Sequence, residues 1–133
     1  MNRGMSAKPL PCPCGGADYA TCCGRYHNGE PAQDALTLMR SRYSAYALRL
    51  EPYLLATWHD STRPVALDLA ADNSKWSMLE VKKYICVSAD RATVEFVARY
   101  KIGGRAARIH EASRFVRTDG RWFYLDGEFI NAT

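Results

Sequence analysis

The sequence predicts an α+β fold in which helices pack in the concavity of a curved antiparallel sheet, behind a small N-terminal cysteine knuckle. Three observations predict it. Four of the five cysteines crowd into residues 12–23, a three- and four-residue apolar period begins at Asp34, and beyond Asn73 the period becomes two, broken by Gly103-Gly104 and Asp119-Gly120. At 133 residues and 47% hydrophobic, the chain can build one ordinary core with a small appendage. The two glycines and the proline of 24–31 mark a connector, which divides the chain into a knuckle over 1–30 and a main domain over 31–133.

The cysteines read Cys-x-Cys-x7-Cys-Cys, with Gly15 and Gly16 permitting the tight turn between the pairs. Four soft thiolates suit Zn2+, which takes tetrahedral sulfur ligation in closed structural sites. Cys12, Cys14, Cys22 and Cys23 are therefore expected to hold one Zn2+, with no open position for a substrate. Adjacent Cys22 and Cys23 sit about 3.8 Å apart at Cα, short of the usual ~4.4–6.8 Å of a disulfide. Two bridges across the loop remain geometrically open, but Met1–Met5 runs into polar, proline-rich sequence without an apolar export segment. A cytoplasmic location is expected, and reducing conditions there favour metal over disulfide. His27 has the reach to replace one thiolate; it is read instead as a surface histidine flanking the site.

Asp34 is a natural N-cap for a helix whose apolar face is expected to carry Leu36, Met39, Tyr43, Tyr46, Ala47 and Leu50. Glu51-Pro52 stops that helix and opens a short second one, since proline suits a first turn. The second helix is expected to bury Tyr53, Leu54 and Trp58, and a loop follows over 59–64. A further helical turn is placed over Leu67 to Ala71.

Four strands follow, expected over 76–88, 92–102, 107–118 and 121–125. Ala92, Val94, Phe96, Ala98, Tyr100 and Ile102 share one face of the second, and Gly-Gly and Asp-Gly supply hairpin turns. Cys86, between Ile85 and Val87, is read as a small buried hydrophobe.

A sheet curved around helices makes a cone with one open mouth, a natural ligand pocket. His59 and Arg63 lie in the loop expected to cap it, Tyr84 on the first strand, and His110, Glu111 and Arg114 on the third. Strand alternation puts His110 and Arg114 on one face, Glu111 and Ser113 on the other, so these cannot all line one cavity. His59, His110 and Glu111 are the candidates for acid–base work, with Asp126 as a further carboxylate partner. Arg63, Arg114 and Tyr84 are the candidates for ligand binding. Binding is favoured over catalysis.

No apolar run approaches the ~20 residues of a membrane span, so no membrane role is expected. The net charge is +4, but 99–121 holds seven Arg or Lys against Glu111 and Asp119. Such a stretch attracts phosphate or an acidic partner. Trp58, Trp76, Trp122, Phe123 and Tyr124 read as core rather than a base-stacking platform, because no nucleic-acid-binding module signature accompanies them.

Pro11-Cys12-Pro13-Cys14-Gly15-Gly16 through Tyr19 to Cys22-Cys23-Gly24 resembles the SEC-C zinc motif at the C-terminal tail of the preprotein translocase ATPase. The stretches 38–46, 53–59, 110–115 and 120–127 resemble the YchJ-like family of uncharacterised bacterial proteins. The resemblance implies a nuclear-transport-factor-2-like cone behind the knuckle, a zinc ion, and a knuckle that docks a protein or a ribosome-associated partner while the cone holds a small ligand or peptide. With the basic stretch, it makes an acidic protein or ribosomal RNA the expected partner class. Two departures stand out. The spacer Gly15–Thr21 has seven residues where the motif usually has eight, and the second C-terminal cysteine motif of some relatives does not follow Phe129.

Overall fold

The structure is a computed structural model and describes residues 10–130; Met1–Met5, on which the export expectation rests, lie outside the described residues. A 3-10 turn at Tyr19–Thr21, capped by the Asp18 carboxylate accepting from Ala20 N at 3.2 Å, leads into the short helix α1 (Cys23–His27). Helix α2 (Ala35–Leu48) begins where the Asp34 carboxylate accepts from Thr37 N at 2.7 Å, as the sequence predicts. It ends at Arg49, in the left-handed region with φ 58°, whose guanidinium ties the helix end to the Asp72 and Ser74 carbonyls. Helix α3 (Glu51–Ala56) has Pro52 in its first turn. The Glu51 carboxylate accepts from Leu67 N and Leu69 N at 3.1 and 3.0 Å, fixing the loop that holds the turn Leu69–Ala71.

Strands β1 (Lys75–Ser88), β2 (Arg91–Ile102), β3 (Arg105–Thr118) and β4 (Arg121–Phe129) form one antiparallel meander in the order β1-β2-β3-β4. Gly103 and Gly104, and then Asp119 and Gly120, take positive φ at the two later hairpins, the backbone that a twisted two-residue turn demands. Register slips at three places between β1 and β2 and one between β3 and β4. Such bulges bend strands and curve the sheet toward the helices. Strand β4 runs on past Leu125, the predicted end, because Asp126 to Phe129 still pair with Glu111 to Arg114.

The core sits between α2 and the concave face. Ala35, Leu38 and Met39 meet Ala92, Val94 and Phe115, all buried, and a fully buried Leu or Phe contributes roughly 1.5–3 kcal/mol. The buried side of α2 is wider than the predicted stripe. It takes in Leu38, Ser41, Arg42, Ser44 and Ala45, while Leu36, Tyr46 and Ala47 are half-buried. The reason is that the helix is covered twice, by the sheet and by the knuckle. In α3 only Leu54 is buried, with Tyr53 half-buried. Cys86 is exposed rather than buried, as are its neighbours Ile85 and Val87 near the end of β1.

Candidate functional site

The four predicted cysteines converge. Their sulfurs all lie within 4.8 Å of one another, with Cys14 and Cys22 at 3.5 Å, while Cys12, Cys14 and Cys23 are buried and Cys22 is half-buried. Ligands at ~2.3 Å in a tetrahedron stand about 3.8 Å apart, so the donor set fits a metal ion that prefers four thiolates. The seven-residue spacer closes without loss of a ligand. Cys12 N donates to Gly16 O at 2.9 Å and Gly15 N to Cys12 O at 3.0 Å. A Cβ on Gly16 would stand 2.7 Å from the Cys22 sulfur, so the loop needs glycine where it passes over the cluster.

Protonation tells the same story. Hydrogen bonding from Cys23 pulls the Cys14 thiol down to about 4 against the opposing effect of burial. Burial, with the neighbouring Cys14, pushes Cys22 up to about 11, and Cys23 is raised first by its bond to Cys14. Beside an ionised Cys14, Cys22 and Cys23 hold their protons more tightly. Four thiolates in one such cluster require a cation between them.

Helix α2 orients the cluster. The fully buried Ser44 hydroxyl donates to the Cys23 sulfur at 3.2 Å and lies 3.4 Å from that of Cys12. Arg40 donates to Cys14 O at 3.4 Å. His27 is not the surface histidine predicted. It is half-buried, its Nε2 donates to Ser41 O at 2.8 Å, and its Nδ1 accepts from the Tyr19 hydroxyl. Both nitrogens are engaged, so His27 flanks the site without being a ligand. Burial holds its pKa below the usual value.

A second polar cluster occupies the concavity. Arg42, 4% exposed, donates from Nη1 to Leu54 O at 2.8 Å and Thr57 Oγ1 at 2.6 Å, and lies over the rings of Trp58 and Tyr124 at 5.2 and 4.6 Å. Glu111 points into the same interior, its Oε2 accepting from Ser113 at 2.7 Å and from Tyr124 at 3.3 Å. Burial lowers the Arg42 pKa and raises that of Tyr124. The sequence reading missed Arg42. Its signal was a charged residue one helical turn from both Leu38 and Ala45, on the core side of the helix.

The remaining candidates disperse. His59 Nδ1 is bound to Ser61 at 2.8 Å beside the exposed Asp60. Arg63 caps the Trp58 carbonyl at 2.9 and 3.1 Å. His110 turns to the outer face and meets Glu95 at 2.8 Å, and Arg114, on that face too, pairs with Asp126 at 2.6 Å. Tyr84 packs against the core cluster beside Cys86, whose hydrogen bond helps push its pKa up to about 12. His59, His110 and Glu111 thus occupy three separate surroundings.

A cleft of about 570 Å³ lies elsewhere, lined by residues of α1, α3 and the start of β4. Tyr26 and His27 of the knuckle and Tyr53, Trp122 and Phe123 of the main domain line it, with His27 and Tyr53 packed edge to face at 4.7 Å and Glu30 and Arg121 among its charged lining residues. None of the residues predicted to bind ligand lines it.

The model of the "YchJ, middle NTF2-like domain" family matches residues 34–127. A UPF0225 protein of Methylibium petroleiphilum is 59% identical over 122 residues, covering 90% of this chain and 89% of the relative. One of Chromobacterium violaceum is 60% identical over 122 residues, covering 87% and 90%. Among solved structures, a SEC-C motif containing protein from Rhodopseudomonas palustris superposes with a TM-score of 0.80 at 33% identity, covering 92% of this chain and 100% of that one. A sec-c motif containing protein from Psychrobacter arcticus gives 0.78 at 28%, covering 95% and 86%. Among the described residues, no helix is long and apolar enough to cross a membrane.

Proposed function

The chain belongs to the family of the YchJ middle NTF2-like domain, and on that footing we propose that it is a cytoplasmic zinc-containing binding protein. Cys12, Cys14, Cys22 and Cys23 hold one structural Zn2+, and the rigid knuckle docks a macromolecular partner. The ligand site is the cleft beside the knuckle, not the filled concavity. The observation that carries this reading is that both parts of the chain line the cleft: Tyr26 and His27 lie on the short helix that begins at Cys23, and Tyr53 and Trp122 belong to the cone. Metal loading therefore positions half of the ligand site. Aromatic walls with Arg121 alongside suit a small aromatic acid or the acidic end of a peptide.

Elemental analysis of freshly reduced protein tests the metal, with close to one zinc per chain expected and a loss in Cys22→Ser. Less than half an equivalent of any metal sinks that part. Amide chemical-shift mapping of the zinc-loaded chain against small aromatic acids tests the cleft. Saturable shifts at Gly29, Ala56 and Phe123 that disappear in Trp122→Ala are expected. Shifts confined to other surfaces reject the cleft and leave the metal reading standing.

A further inference from the structure

The charges on the outer face of the sheet are segregated. Near its middle and toward the β3–β4 turn, cations have acids beside them: Lys82 meets Glu80 at 3.0 Å, His110 meets Glu95 at 2.8 Å, and Arg114 meets Asp126 at 2.6 Å. Toward the Gly103-Gly104 hairpin the pattern changes. Lys75 lies directly opposite Lys101, and Arg99 directly opposite Arg108. Residues 99 and 101 are two apart on β2, so alternation puts all four cations on one face. All four are exposed, none makes an ion pair among the described residues, and 98–110 contains no acid. Like charges directly opposite each other destabilise a sheet. Here the arrangement occurs twice in succession and nothing local relieves it.

We infer that this hairpin end of the outer face docks the phosphodiester backbone of a nucleic acid through Lys75, Arg99, Lys101 and Arg108. An array of cations on a paired β-surface can follow a run of phosphates, and docking relieves the repulsion built into the register. A protein partner fits less well. Protein interfaces have an apolar centre from which lysine is depleted, whereas this patch is centred on Lys101 and Arg99, with the small Ala106 beside them. A shallow hollow of about 390 Å³ runs along it, lined by Ser77, Arg99, Lys101 and Arg108 among others. No base-reading platform accompanies the cations. Trp76 and Tyr100 pair on the opposite, inner face at 4.9 Å, so recognition is of backbone and independent of sequence. This assignment adds a surface to the docking role proposed above and does not use the knuckle or the cleft.

The test is fluorescence anisotropy of the zinc-loaded full chain with labelled single-stranded RNA and duplex DNA of mixed sequence, an acidic peptide, and anionic vesicles, from about 50 to 200 mM salt. Binding to either nucleic acid is expected, with a log–log salt slope on single-stranded RNA of about −3 for four phosphates. Arg99→Gln with Arg108→Gln should halve that slope, and the quadruple glutamine variant should bind about tenfold or more weakly at the lowest salt. Arg114→Gln, whose arginine is already paired, should change affinity less than about twofold. The melting temperature of the charge variants should hold or rise, because repulsion is removed. No binding to nucleic acid, equal binding by the quadruple variant, or binding only to the peptide or the vesicles overturns the inference. Each of these leaves the metal and cleft tests untouched.

Discussion

The hydroxyl of Ser44, fully buried on α2, donates to the sulfur of Cys23 at 3.2 Å and stands 3.4 Å from that of Cys12. One small polar side chain in the helix thus touches two of the four sulfurs and joins knuckle to cone. Residues that orient metal ligands typically matter 10–100-fold in metal affinity. Ser44→Ala is expected to weaken metal retention about tenfold or more, measured by competition with a chromophoric chelator. An unchanged affinity would show that Ser44 fills space without orienting the thiolates.

Gly127 lies against Glu111 so closely that a Cβ there would stand 2.0 Å from Oε2 and 2.8 Å from Cδ. Gly127→Ala must push the carboxylate away from Tyr124 and from Ser113, whose hydroxyl is buried. The expected loss is about 1–3 kcal/mol, the cost of leaving a buried hydroxyl unsatisfied. In a Glu111→Ala background most of that loss should vanish, since nothing remains to be displaced. A double-mutant cycle by urea denaturation measures it.

Arg42 holds the Leu54 carbonyl and the Thr57 hydroxyl with one nitrogen and lies over Trp58 and Tyr124. Lysine carries the charge but lacks the planar, stacking guanidinium. Arg42→Lys is therefore expected to lose more than ~1 kcal/mol and Arg42→Met about 2–4 kcal/mol, because the methionine leaves the Leu54 carbonyl only the long 3.4 Å contact with the Thr57 hydroxyl. Chemical denaturation of the metal-loaded protein checks both, and a neutral Arg42→Met would rule out an anchoring role.

His27 is held neutral by burial, its pKa in the folded chain below the unfolded value of about 6.5. Above that value both states carry neutral imidazole and stability is flat in this group. As pH falls through it, the unfolded chain takes up a proton that the folded chain refuses, so stability drops until the lower folded pKa is reached. The stability difference between wild type and His27→Gln should accordingly shrink from pH 7.5 to pH 5.5. Comparing urea midpoints of the two proteins at each pH isolates the effect from proton competition at the thiolates, and a difference independent of pH would contradict it.

Much of the fold is written in local spacing. Cys-x-Cys-x7-Cys-Cys brings four sulfurs together because short, glycine-bearing loops leave few other closures. Asp34, Pro52 and the Gly-Gly and Asp-Gly pairs act within a few residues of themselves, so helix starts and hairpins are readable without the tertiary structure. The stretches 38–46 and 53–59 carried the family resemblance without saying which of their side chains are interior.

What surrounds a side chain is a different matter, decided by parts of the chain far apart in sequence. Helix α2 buries Ser41 and Ser44 because the knuckle covers the flank that an isolated amphipathic helix would leave to water, and Arg42 because Leu54, Thr57, Trp58 and Tyr124 close over it on the cone side. Alternation alone separated His110 from Glu111, but only the register, with β4 continuing to Phe129, showed that Glu111 enters the core and His110 meets Glu95 outside. The ligand cleft lies where α1, α3 and β4 meet, three elements whose contact no local period encodes. Periodicity records which way a residue faces along its own element; burial, pKa and cavity depend on what the rest of the chain lays across that face.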